Sequence, residues 1–190
     1  MEPLFISTLV VAIAEIGDKT QLLAVLLATR FKKPWAIIAG ILAATVANHL
    51  LAATAGYYLS SFLSGVWFKG VIAVSFLAMA AWALIPDKAG DLKDQTGQLG
   101  VFLTTLIAFF LVEIGDKTQI ATVALAARFH SVLLVAAGTT LGMMIADVPA
   151  VFLGEAATRI VPLKYVRWGS ALIFAVLGLL ALAQVFGLAH

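Results

Sequence analysis

The hexapeptide EIGDKT occurs twice, at Glu15–Thr20 and Glu113–Thr118, each time inside a long apolar run. Each copy places a Glu, an Asp and a Lys where lipid-solvated sequence holds none. A charge at bilayer depth costs ~2.5–3.5 kcal/mol on insertion scales, so intramembrane acids face a bundle interior or a cavity and mark a functional site. Only 12% of the 190 residues are charged and 63% are hydrophobic, with a mean hydropathy of +1.07. That composition excludes a soluble domain, which could not cover so much apolar surface.

Six apolar segments reach the ~20 residues that span a bilayer as a helix. They lie near Leu4–Thr29, Pro34–Leu59, Val66–Ile85, Leu99–Ala127, Val132–Leu153 and Val166–Leu188. The expected fold is an all-α integral membrane protein. One clearly polar stretch, residues 87–98, interrupts the series near its centre. A shift of 98 residues aligns Glu15–Phe31 with Glu113–Phe129 at 12 identities in 17 positions. The same shift pairs Gly40 with Gly138, Gly56 with Gly154, and Lys69 with Arg167. The chain therefore divides into a first repeat (1–86), a linker (87–98) and a second repeat (99–190), each repeat with three spans.

An odd number of spans per repeat makes the second copy enter from the opposite side, so the six helices form two inverted three-helix repeats. Counting loops alternately, one side carries Arg30, Lys32, Lys33, Lys88, Lys93, Arg159, Lys164 and Arg167, and the other only Lys69 and Arg128. The positive-inside rule makes the first side cytoplasmic and leaves both termini outside. MEPLF lacks a basic n-region, so the first helix is expected to serve as its own insertion signal.

On a continuous helix at 100° per residue, Glu15, Asp18, Lys19 and Gln21 share half the circumference, with Thr20 pointing away. Gly17 permits close approach of another helix or local unwinding. Glu113, Asp116, Lys117 and Gln119 repeat the pattern around Gly115. If the two motifs face each other, four carboxylates and two lysines sum to about −2, the charge one divalent cation neutralises. Glu15, Asp18, Glu113 and Asp116, with Gln21 and Gln119, offer hard oxygen ligands suited to Mg, Ca or Mn, and cysteine is absent. Empty, such carboxylates cannot all stay ionised in a low dielectric and should take up protons. The competing reading is purely local pairing, Glu15 with Lys19 and Glu113 with Lys117.

Auxiliary or proton-coupling candidates are Lys19, Lys117, Asn48, His49 and Asp147. Under the repeat shift Asn48 and His49 match Ala146 and Asp147, polar groups deep in the second and fifth spans. Their alternative role is interhelical hydrogen bonding. Thr20 and Thr118 are expected to bond a carbonyl or a neighbouring helix. Trp35, Trp67, Trp82 and Trp168 fall near span ends, as interfacial belts do.

With both motifs in register, the chain resembles the GDT family of small membrane proteins, characterised by duplicated E-x-G-D-(K/R)-(T/S) motifs on the first and fourth helices. The resemblance covers essentially the whole chain. It implies export of Mn²⁺, with Ca²⁺ as the second candidate, in exchange for protons, and it makes Glu15, Asp18, Glu113 and Asp116 the cation-binding acids. The chain lacks the long N-terminal extension of eukaryotic members, which points to a bacterial inner membrane. A passive channel, or a carrier of another cation, is the alternative function. An enzyme is disfavoured: no H-E-x-x-H motif occurs, and symmetric duplication suits transport better than catalysis on one face. No P-loop and no basic block occur, which argues against an ATP-driven pump and against nucleic acid. No cofactor is expected. The partners are lipid, the cation and protons, with a monomer sufficient and an oligomer open.

Overall fold

The computed structural model describes residues 1–62, 65–85, 100–153 and 163–186. Among these every regular element is an α-helix: α1 (Glu2–Glu15), α2 (Lys19–Phe31), α3 (Pro34–Phe62), α4 (Val66–Ala83), α5 (Val101–Glu113), α6 (Lys117–Phe129), α7 (Val132–Leu153) and α8 (Leu163–Val185). The polar linker 87–98 and Gly154 lie outside the described residues. Three helices, Pro34–Ser60, Val66–Ala83 and Val132–Leu153, are long and apolar enough to cross a membrane by length and composition.

The first and fourth predicted spans differ from expectation. Neither is one continuous helix: each stops at its motif glutamate and restarts at its motif lysine. The cause is local. Gly17 (φ 79°) and Gly115 (φ 75°) occupy the left-handed region that glycine enters without steric cost. Ile16 and Ile114 before them are extended, and Asp18 and Asp116 after them take the extended N-cap conformation of a new helix. Non-helical backbone inside a membrane protein survives only where it is buried in protein or lines a polar cavity.

Each broken helix packs against the long polar-bearing helix of the other half. α1 runs along α7, and α5 with α6 runs along α3; α4 and α8 pack together. The contact between halves is close because glycine lines it. A Cβ on Gly138 would sit 2.5 Å from Leu4 O, and one on Gly40 would sit 2.7 Å from Phe102 O. These positions are related by the 98-residue shift, as are the residues they meet, so the two crossings are copies of one packing solution.

Near one end of the bundle, Ser60 on α3 lies 3.1 Å from His130, the residue that ends α6. At the start of α3, Trp35 packs edge-on against Phe152 at the end of α7. Apolar clusters fill the interior, one around Phe76, Phe174 and Leu125, another around Phe109, Ile37 and Ile41. Leu51, Val74, Leu111, Ile145 and Leu172 face outward and exposed, which a lipid-facing surface requires. Trp35, Trp67 and Trp168 are exposed as an interfacial belt demands; Trp82 is half-buried.

Candidate cation-binding site

The two helix breaks bring their acids into the interior. Glu15, Asp18, Glu113 and Asp116 are all buried, none more than 1% exposed. Glu15, Asp18 and Asp116 each present one carboxylate oxygen so that the three lie within 4.8 Å of one another. This group draws on both repeats. Glu113 is outside it. Thr45 Oγ1 donates to Glu113 Oε1 at 3.2 Å, and Asn48 Nδ2 donates to Oε2 at 3.3 Å, which ties that carboxylate to α3. Asn48 Nδ2 also reaches Phe110 O at 3.1 Å.

The lysines do not pair along their own helices as local spacing suggested. Lys19 Nζ meets Asp116 Oδ1 at 2.7 Å, and Lys117 Nζ meets Asp18 Oδ1 at 2.5 Å. Both ion pairs cross between the repeats. The break explains why: at a restart the lysine is the first helical residue and the aspartate its cap, so the i,i+4 geometry of an unbroken helix no longer holds. The Lys117 side chain is only 6% exposed, whereas that of Lys19 is 29% exposed.

The glutamines close the breaks. Gln21 Oε1 accepts from Gly17 N at 2.8 Å, and Gln119 Oε1 accepts from Gly115 N at 2.7 Å. Gln21 Nε2 also donates to Ala146 O at 3.1 Å, tying the first break to α7. Thr20 does not point away from the acids: its hydroxyl donates to Glu15 Oε2. Thr118 bonds Asp116 Oδ2 through its backbone N (3.5 Å) and its hydroxyl (3.3 Å).

His49 and Asp147, matched by the repeat, are 1% and 0% exposed. Neither the ring nitrogens of His49 nor the oxygens of Asp147 find a hydrogen-bond partner among the described residues. Asp147 directly follows Ala146, whose carbonyl Gln21 ties to the first break. Glu15 Oε1 and Ser7 Oγ are likewise buried without a partner. Buried polar atoms left so point to a hydrated or ion-occupied interior.

Sequence reasoning did not single out Thr45. Its repeat counterpart is Met143, so the internal comparison gave no signal there.

Broken helices that set acids at the centre of an apolar helical bundle are the construction of ion-coupled membrane transporters. The chain belongs to the GDT1 family, described as "Divalent cation/proton antiporter GDT1", whose model matches residues 3–91 and 101–188. The starts of those two segments are 98 residues apart, the same offset as the internal repeat. A Vibrio cholerae protein named "Putative manganese exporter" is 50% identical over 187 residues, covering 98% of this chain and 92% of that relative. "GDT1-like protein 5" of Arabidopsis thaliana is 27% identical over 208 residues, covering 90% of each chain. A GDT1-like protein of Synechocystis is 27% identical over 187 residues, covering 87% of this chain and 89% of that one. No solved structure matches the chain.

Proposed function

We propose that this chain exports Mn²⁺ from the cytoplasm in exchange for protons, through one site shared by two inverted three-helix repeats. The observation that carries the reading is the three-acid group drawn from both motifs, Glu15, Asp18 and Asp116. Three hard carboxylate ligands within reach of one another suit a divalent cation that accepts oxygen. Family membership supports proton exchange, and the Vibrio relative's name supports manganese over calcium.

The crossed ion pairs suggest how the site cycles. Lys19 and Lys117 neutralise Asp116 and Asp18 in the arrangement observed here. A cation entering among the acids competes with these ammonium groups and with protons on the same carboxylates. Glu113, tied to α3 by Thr45 and Asn48, joins the ligand set when the halves move relative to each other. Gln21 and Gln119 act by holding the breaks rather than as primary ligands, since each oxygen already accepts a backbone N–H.

In this reading the broken pairs α1–α2 and α5–α6 each make one membrane crossing, giving six. The joining of the ends of α3 and α6, and of the start of α3 with the end of α7, fits that alternation. Both termini lie outside, the linker 87–98 is cytoplasmic, and the membrane is the bacterial inner membrane.

The test is transport in proteoliposomes under an imposed pH gradient, comparing Mn²⁺, Ca²⁺ and Mg²⁺. Wild type accumulates Mn²⁺ against its gradient while protons leave and the lumen turns more alkaline in step; Asp18→Asn does neither. Cation flux that ignores the pH gradient would instead indicate a passive pathway.

A further inference from the structure

The side of the chain poor in positive charge carries only Lys69 and Arg128. The fold brings these two, with His130, into one cavity of about 210 Å³ formed by the start of α4, the end of α6 and the end of α8. Its volume is several times the ~30 Å³ share of a water molecule. Phe68 and Ile72 form its apolar wall, and Gln184 adds an amide. Arg128 is at the opposite end of α6 from its cap Asp116, roughly 18 Å along the helix, which sets the cavity apart from the acids.

Two features mark it as a place for an anion. Arg128 Nη1 is buried and makes no hydrogen bond among the described residues. A buried guanidinium N–H left without an acceptor is costly, and an oxyanion is the acceptor whose geometry suits it. The acid whose charge reaches Arg128 is Glu2, on the exposed first turn of α1, and it does not line the cavity. Among the described residues no carboxylate lines the cavity beside these cations. Ser60 engages His130 Nδ1 at 3.1 Å, which fixes the imidazole at the cavity edge.

We propose that this cavity binds a phosphate-type oxyanion, with Arg128 and Lys69 as its cationic ligands. An anionic phospholipid headgroup is the favoured source. Trp67, next to the cavity-lining Phe68, is 91% exposed at the start of α4, as an interfacial anchor would be. The apolar wall of Phe68 and Ile72 suits the start of an acyl chain. On the cytoplasmic face basic pockets between membrane helices bind anionic headgroups, and this pocket offers the same chemistry at the opposite face.

The experiment uses the full chain in nanodiscs of phosphatidylcholine, with or without phosphatidylglycerol, followed by native mass spectrometry of retained lipid. A parallel arm measures thermal stabilisation by inorganic phosphate in detergent without phosphatidylglycerol. Wild type retains a phosphatidylglycerol molecule that Lys69→Gln weakens about fivefold and Lys69→Gln/Arg128→Gln about 25-fold. The charge-keeping variant Lys69→Arg/Arg128→Lys restores retention, which separates loss of charge from loss of fold. Stabilisation by phosphate alone, lost in the Gln variants, supports the oxyanion site and assigns it to the free anion. Retention unchanged in the double Gln variant, or no response of wild type to either probe, overturns the proposal.

Discussion

The two crossed ion pairs have the same chemistry but different burial, so breaking them should cost different amounts. In Asp18→Ala, the Lys117 ammonium loses the carboxylate at 2.5 Å while its side chain is only 6% exposed. Removing one partner of a buried pair costs ~3–5 kcal/mol, because the remaining charge has no water to return to. In Asp116→Ala, the Lys19 side chain is already 29% exposed and its ammonium can reach solvent or headgroups. That pair then contributes at most ~1 kcal/mol. Asp116 also accepts from Thr118 N as an N-cap, which adds ~1 kcal/mol to its loss. The expected costs are therefore ~3–5 kcal/mol for Asp18→Ala and ~2 kcal/mol for Asp116→Ala. Double-mutant cycles remove the cap contribution. Asp18→Ala with Lys117→Met should show a coupling of ~2–4 kcal/mol, against under ~1 kcal/mol for Asp116→Ala with Lys19→Met. The assay is reversible unfolding in mixed micelles, followed by helical circular dichroism at neutral pH with a chelator present. Equal couplings, or a larger one at Asp116–Lys19, would refute the link between burial and pair strength.

Gln21→Leu should destabilise more than Gln119→Leu, by ~1–3 kcal/mol, because it loses the Ala146 O contact as well as the acceptor for the glycine N–H; the same unfolding assay reads it. Gly138→Val should cost at least ~1–3 kcal/mol and slow transport, since its Cβ would sit 2.5 Å from Leu4 O; Gly169→Ala, whose nearest neighbour is 3.9 Å away, serves as the control. Asn48→Ala should strengthen Mn²⁺ binding by loosening the tie that keeps Glu113 out of the three-acid group, with a larger effect on binding and transport rate than on fold, measured by equilibrium binding beside flux. If protons and the cation compete for the same carboxylates as proposed, the Mn²⁺ dissociation constant should rise as pH falls, and binding should release protons; calorimetry in buffers of different ionisation enthalpy counts them.

Much of this was legible in the sequence, for physical reasons. Apolar length located the helices, and the 98-residue shift located both motifs and the glycine pair Gly40 and Gly138, whose equivalence reappears as two matching crossings. His49 and Asp147 were found because a polar group in a lipid-length apolar run stands out. The break at Gly17 and Gly115 was less legible: helical periodicity presupposes a continuous helix, and a glycine alone does not say whether the chain unwinds there. That presupposition turned Thr20 away from Glu15, and it is also what the competing reading of local Glu15–Lys19 pairing rested on. The crossed pairs depend on how two distant segments face each other, which spacing along one helix cannot report. Thr45 escaped notice because Met143 stands at its counterpart, so the repeat offered no echo.

The proposed cation site is single, assembled from two half-motifs rather than one per motif. Equilibrium Mn²⁺ binding to the purified chain, by calorimetry with the free ion counted by electron paramagnetic resonance, tests it most directly. One Mn²⁺ per chain is expected, with Asp18→Asn and Asp116→Asn each abolishing all of it. Two ions per chain, or half of the binding surviving in each variant, would contradict it.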